Sequence, residues 1–333
     1  MFLSKTFVRH PQSCLAAALI LLALISLLVG RYPAPYLMPV ECLRENPFAQ
    51  QLVLNLRLPR LLAAIFLGMA LAGGGAVMQM IFRNPLVEPG FLGVSQGAAF
   101  GAGVAIVFLG SSPLLIQGCA ALCAFLGLLL SYTLARRLHY GGWILRLVLA
   151  GLAVSAIFSS GLGLLKCVAD PLRQLPEITF WLLGGLWAVT WRDVFRMLPV
   201  LLPALAVVWL MRWRVSLLSL SDETAFSLGV AAGRERALLL AAAVAATAAV
   251  VAVAGVVGWV GLLVPHVARR LVGTDARKSV PASMLLGGLF TLLCDDLART
   301  LTPGEIPLGI LTSLLGSIFF MALMVRHYQG ARR

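Results

Sequence analysis

Long apolar runs recur along the chain, separated by short segments in which arginine, proline and acids gather. A helix needs about 20 predominantly apolar residues to cross the hydrocarbon core of a bilayer. Ten such segments can be drawn, at 14–30, 61–80, 93–110, 114–135, 144–165, 194–211, 237–255, 257–271, 280–297 and 307–325. The eighth is short and is interrupted by Pro265. The pattern predicts an all-α polytopic membrane protein of about ten transmembrane helices. The first run follows Lys5 and Arg9 as a signal peptide would, but RYPAPYLMP comes next instead of a small-x-small cleavage site. It reads as a retained first span.

Small residues repeat at helical spacing, at Gly93, Gly97 and Gly101 and again at Gly151, Ser155, Ser159 and Gly163. Residues so spaced share one helix face and let a second backbone approach closely. Two connections carry more than a turn requires. FRNPLVEPGFLG (82–93) holds two prolines, Asn84 and Glu88, and broken backbone at that depth is tolerated only when buried in protein or wet. In the segment between spans six and seven, Ser221 is placed to cap a short helix opening with Asp222 and Glu223. Ala225, Phe226, Leu228 and Val230 then offer apolar contacts, and Gly229 or Gly233 can end the helix. Spacing alone fits this element equally to a lipid surface and to a protein partner.

Composition agrees with the pattern: 60% of the residues are hydrophobic, 12% are charged, and the mean hydropathy is +0.96. A net charge of +13 raises nucleic acid as a partner, but the charges lie between apolar runs and form no basic domain. With the amino terminus inside, the outer segments hold Arg31, Arg44, Arg57, Arg60, Lys166, Arg173, Arg192, Arg196 and Arg299. The inner segments hold the clear majority of the 26 lysines and arginines, which predicts both termini in the cytoplasm.

Conventional catalysis finds little support. His10, His139, His266 and His327 form no HExxH, and neither GxSxG nor GxxxxGK[ST] occurs. Any ATP-driven step would therefore need another polypeptide. Five of the six cysteines sit in or beside apolar runs, and Cys119 and Cys123, four apart on one helix face, have no histidine or acid alongside, so neither metal, cofactor nor disulfide is expected. Asp295 and Asp296 precede Arg299 by four and three residues, a spacing for local ion pairing. His266, beside Pro265, reads first as a helix-end residue, with substrate contact or gating as the alternative. Arg269 and Arg270 are placed to reach inner headgroups.

Four stretches in order carry a family resemblance: NLRLPR (55–60), FRNPLVEPGFLGVSQGAAFGAG (82–103), GVVGWVGLLVPHVARRLVGTD (255–275) and DLARTLTPGEIPLGILTSLLGSIFF (296–320). FWLLGGLW (180–187) also fits, and the resemblance covers residues 50–326. The chain resembles the FecCD-type, or BtuC-like, permease subunits of ABC importers, which take up ferric siderophores, haem or vitamin B12. The resemblance implies ten helices per subunit and a homodimer around a central path. It also implies two ATP-binding subunits below and an extracytoplasmic solute-binding protein above.

On that basis 1–333 is one transmembrane permease domain, with a cytoplasmic coupling segment at 216–233. The ATPase dock is centred on Leu220, Ser221, Asp222, Glu223, Thr224, Ala225, Phe226, Leu228 and Gly229. The outer arginines Arg57, Arg60 and Arg299 match those that meet acids of the binding protein, a role suited to the planar guanidinium. Helices three, five, eight and ten are candidates for bordering the path, and Gln96, Gly97, Trp259, Pro265 and His266 for lining or gating it.

The departures are modest: GVVGWVG where GPIGFVG is usual, GVSQGA for GVSSGA, which introduces Gln96, and GSIFF for GAPFF. The expected cargo is a ferric siderophore, with haem, cobalamin and an oxyanion left open. The competing readings are an ion-coupled secondary transporter and a membrane scaffold or receptor.

Overall fold

The computed structural model describes residues 11–33, 36–220 and 222–330. Helix α1 (Pro11–Leu28) runs into a two-residue ribbon, with β1 (Val29–Gly30) antiparallel to β2 (Tyr36–Leu37). Two short helices follow, α2 (Val40–Glu45) and α3 (Pro47–Leu52), the latter capped by Asn46 Oδ1, which accepts from Phe48 N at 2.9 Å. A π turn at Val53–Arg57 joins α3 to α4 (Leu58–Ile81). A single 3₁₀ turn (Pro89–Leu92) precedes α5 (Val94–Val104), which a second π turn extends to Leu109. Next come α6 (Pro113–Arg137), α7 (Trp143–Val168) and α8 (Gln174–Leu183). Helix α9 (Trp191–Leu210) opens on a capping box in which Thr190 N donates to Asp193 Oδ2 at 2.9 Å. The short α10 (Arg212–Leu218) and α11 (Asp222–Ser227) lead to α12 (Ala232–Ala254). The chain then builds α13 (Val260–Val272), α14 (Ala276–Thr300) and α15 (Leu308–Gly330).

Among the described residues seven helices are long and apolar enough to cross a membrane, counting Pro47–Ile81 as one, and shorter apolar helices occupy Val94–Leu109 and Leu308–Ala322. The fold is thus an all-α, multi-pass membrane protein. The expected cap at Ser221 falls outside the described residues, as do Lys5, Arg9, His10, Arg332 and Arg333.

Helix α4 is the hub, packed against α9, α12, α13 and α14. Its core face is mainly alanine, glycine and leucine, because lipid supplies no hydrophobic drive between helices and close backbone approach must supply the packing instead. Gly68 meets Gly287 of α14 so closely that a Cβ on Gly68 would lie 2.0 Å from the Gly287 carbonyl oxygen. Thr291 Oγ1 ties the same pair of helices by donating to the Ala64 carbonyl at 2.7 Å. The stripe of Gly97 and Gly101 packs α5 against the Cys123 and Cys119 carbonyls of α6. Large apolar side chains on the opposite surfaces are left outward, including Leu122 and Leu129 on α6 and Ile157 and Leu164 on α7. Those faces suit lipid.

Segment 82–92 is only partly covered by protein: Phe82, Val87, Pro89 and Leu92 are buried, whereas Arg83 to Leu86 and Phe91 are exposed, so its first proline is not packed away. Asn84 Oδ1 accepts from Leu86 N at 2.9 Å. Pro89 packs against Gly74 of α4 and Gly261 of α13, so the turn between α4 and α5 wedges against a helix distant in sequence.

Candidate functional site

The segment expected to couple to a partner is braced from several sides. Arg83, in the left-handed conformation at φ 49°, donates its guanidinium to the Leu220 carbonyl. Arg236 Nη2 donates to the Leu218 carbonyl at 3.1 Å, and Arg214 pairs with Glu235 at 3.1 Å. Ser216 Oγ accepts from Ala276 N at 3.2 Å, tying α10 to the start of α14. On this base α11 turns Ala225 inward at 0% exposure and Phe226 outward at 80%. Leu220 and Leu228 are also exposed, with Glu223 and Thr224 beside them. Gly229 ends the helix at φ +75°, a conformation that favours glycine, while Val230 N reaches back to the Ala225 carbonyl at 3.0 Å. The element is a short braced helix that presents Phe226 most fully to the outside, flanked by exposed Leu220 and Leu228.

At the opposite end, the outer arginines are engaged internally. Arg60 Nε donates to both oxygens of Asp295 at 3.0 Å, and its Nη1 reaches both oxygens of Glu305 at 2.9 Å. Arg57 is buried and donates to the carbonyls of Leu27 at 2.9 Å and Tyr32 at 3.1 Å. Arg299, also buried, holds the Ser26 carbonyl at 2.6 Å and pairs with Asp296. Local spacing allowed Arg299 to pair with either aspartate. The structure gives it Asp296 and commits Asp295 to Arg60, because the helical turn aims Asp295 at α4. Here the three arginines join α1, α4 and α14, and Glu305 is the half-exposed member of the cluster.

The third region centres on α13. Proline removes the N–H that would bond the carbonyl four residues earlier. Pro265 therefore leaves the Gly261 carbonyl without a helical donor. Gln79 of α4 supplies one: its Nε2 donates to Gly261 at 3.2 Å and to Leu262 at 3.0 Å. Its Oε1 accepts from Arg269 Nη2 at 2.6 Å. Arg269 therefore reaches a buried amide, where headgroup contact was expected. Trp259 starts the helix at φ 70°, packs over Gly316, and meets Phe320 edge-on with centroids 6.1 Å apart. His266 is half-buried one residue past Pro265 and lies in the middle of α13, not at a helix end as expected, because the helix continues through the proline to Val272.

Beside Trp259 lies a cavity of about 540 Å³ lined by Glu88, Leu183, Gly258, Leu262, Ile310 and Ser313 among others. Glu88 is its one ionisable lining residue. Trp259 borders this space, whereas Gly97 is spent on the α6 backbone and Pro265 is buried. Gln96 is half-buried in the first turn of α5 and does not line that cavity. Sequence reasoning missed Gln79, although it is the one amide in an otherwise apolar helix and Arg60 is that helix's one charge.

Comparison with known proteins matches this architecture. The profile of the FecCD transport family covers residues 18–326. The chain is 37% identical over 324 residues to the molybdate import system permease protein MolB of Haemophilus influenzae, covering 95% of each. It is 38% identical over 279 residues to the hemin transport system permease protein HmuU of Yersinia pestis, covering 82% of this chain and 83% of that one. A solved structure described as an inward-facing conformation of a metal-chelate type ABC transporter superposes with a TM-score of 0.88 at 35% identity. It covers 96% of this chain and 99% of the other. The chain belongs to the FecCD transport family, as a permease subunit of an ABC importer.

Proposed function

We propose that this subunit carries a metal chelate across the membrane, a ferric siderophore first and haem or cobalamin next. The observation that carries the choice is the cavity beside Trp259, mostly apolar in lining and with a carboxylate as its one ionisable group. Mostly apolar walls fit the rim of a large chelate and offer a small, strongly hydrated oxyanion few hydrogen-bond donors. Relatives support the class, since one is named for hemin and another, at 38% identity over 276 residues, for cobalamin in Halobacterium salinarum. Molybdate is the second reading, because MolB is similar over nearly its whole length.

The assembly we infer has two copies of this chain around a path, two ATP-binding subunits, and a solute-binding protein outside. Each copy spans the bilayer ten times, with 94–109, 260–272 and 308–330 as spans beyond the seven helices that are long and apolar enough on their own. Both termini lie on the arginine-rich cytoplasmic side. Residues 216–233 dock the ATPase, with Phe226 as the inserted knob. The binding protein meets the outer end of the Arg57, Arg60 and Arg299 cluster, where Glu305 marks the accessible edge. Nucleotide closure displaces α11, and the braces at Arg83 and Arg236 pass that movement to α4 and α12.

The test is uptake into sealed vesicles by this chain with its ATPase and binding protein, offering ferric siderophore, haem, cobalamin and molybdate in parallel. ATP-dependent accumulation of a chelate and not of molybdate supports the proposal. Accumulation of molybdate alone replaces the cargo, and uptake driven by an ion gradient without the ATPase overturns the mechanism.

A further inference from the structure

A second cavity, of about 510 Å³, lies where the ends of α6, α7 and α12 meet, remote from the α13 site. It is lined by Tyr132, Arg136, Trp143, Gly233, Arg234 and Arg236, and no acid is among its lining residues. The Arg136 guanidinium lies 5.9 Å from the centre of the Tyr132 ring, and that ring meets Trp143 edge-on at 5.4 Å. Arg136 and Arg234 are exposed, while buried Arg236 reaches the Leu218 carbonyl through Nη2. The nearest acid in sequence, Glu235, pairs with Arg214. With Arg236 engaged elsewhere, Arg136 and Arg234 leave two exposed guanidinium groups at one space, which suit an anion with several acceptor oxygens, the chemistry of a phosphate.

We propose that this cavity binds the phosphate of an anionic phospholipid headgroup. A free phosphate offers the same oxygens, but the surroundings favour the lipid. Leu130 and Leu134 on α6 and Leu145 and Leu149 on α7 are exposed close to the cavity in sequence. They give acyl chains an apolar flank below a charged mouth. Tyrosine and tryptophan with one apolar and one polar side belong at headgroup depth, and basic residues there attract anionic lipid. The bound lipid would rest against the amino end of α12, which the Arg236 brace connects to the α10–α11 segment. The site itself depends only on these residues and not on the identity of the cargo.

Native mass spectrometry of the purified chain tests the site, with phosphatidylglycerol and phosphatidylcholine of identical acyl chains added in turn. The expected result is retention of about one phosphatidylglycerol per chain in preference to phosphatidylcholine. In Arg136→Gln/Arg234→Gln that preference should fall about tenfold. The wild-type comparison needs no variant, so equal retention of the two lipids overturns the proposal by itself. Unchanged preference in the double variant also overturns it, because the lipid would then sit elsewhere. Inorganic phosphate alone is the third arm. Saturable phosphate binding that phosphatidylglycerol does not displace assigns the cavity to a soluble anion and sinks the lipid reading.

Discussion

Gln79 fills the hydrogen-bonding vacancy that Pro265 opens in its own helix. The Gly261 carbonyl, which an N–H at position 265 would satisfy, accepts from Gln79 Nε2 at 3.2 Å. The same side chain holds the Leu262 carbonyl and receives Arg269, so one amide serves three groups of α13. A proline in a membrane helix is tolerated where a neighbouring helix restores the lost bond.

Gln79→Leu keeps the volume and removes the amide. It strands buried groups that each cost about 1–3 kcal/mol when unpaired, so a net loss of about 2 kcal/mol is expected. Pro265→Ala supplies a new N–H for Gly261. The double variant should therefore recover part of the loss, and a double-mutant cycle on unfolding in detergent reads the coupling. Strict additivity would show that the two residues act independently.

The two acids on Arg60 should differ sharply in worth. Asp295 is buried and bonded by two guanidinium nitrogens, whereas the side chain of Glu305 is 39% exposed. Removing one partner of a buried pair leaves an uncompensated charge and costs about 3–5 kcal/mol, against about 0–1 kcal/mol for an exposed pair. Asp295→Asn should lower the thermal midpoint strongly and Glu305→Gln little. Equal effects would mean that Arg60 is not seated on Asp295.

The helices were legible because periodicity and hydropathy are local. The runs 114–135 and 144–165 became Pro113–Arg137 and Trp143–Val168. Residues 40–57 were not legible as helix, since α2 and α3 are short and the π turn after them has no sequence signature. The site was partly legible. Pro265 announced a lost backbone hydrogen bond but not a break, since the helix runs through it from Val260 to Val272, and Ala225 and Phe226 announced an apolar element. Their division into buried and exposed required the fold. Partner choice was hidden because it is long-range: Arg60 and Asp295 lie 235 residues apart, and Gln79 and Gly261 lie 182 apart. No local rule selects Asp295 over Asp296 for Arg60.

Phe226 and Ala225 separate docking from folding. Phe226→Glu alters a side chain that touches little of its own subunit, so the thermal midpoint should hold while copurification of the ATPase and ATP-dependent uptake fall. Ala225→Glu buries a charge in a site with no space, so the segment itself should unfold and protease sensitivity near 220–230 should rise. If Phe226→Glu leaves ATPase association and uptake intact, α11 is not the dock.

The close crossing of α4 and α14 makes a prediction with a built-in control. A Cβ at Gly68 would meet the Gly287 carbonyl oxygen at 2.0 Å, far inside contact distance, and both groups are backbone. Relief requires the two helices to separate, breaking the Thr291 bond to Ala64 as well. Gly68→Ala should cost about 1–3 kcal/mol, the usual range for overpacking a core. Gly163→Ala makes the same chemical change within α7, where nothing lies within 4 Å of the added Cβ. It should leave stability unchanged or slightly raised, since alanine is the better helix former. Unfolding of the two variants side by side in one detergent separates packing from propensity. A tolerated Gly68→Ala would mean that the helices do not cross at this distance in the membrane.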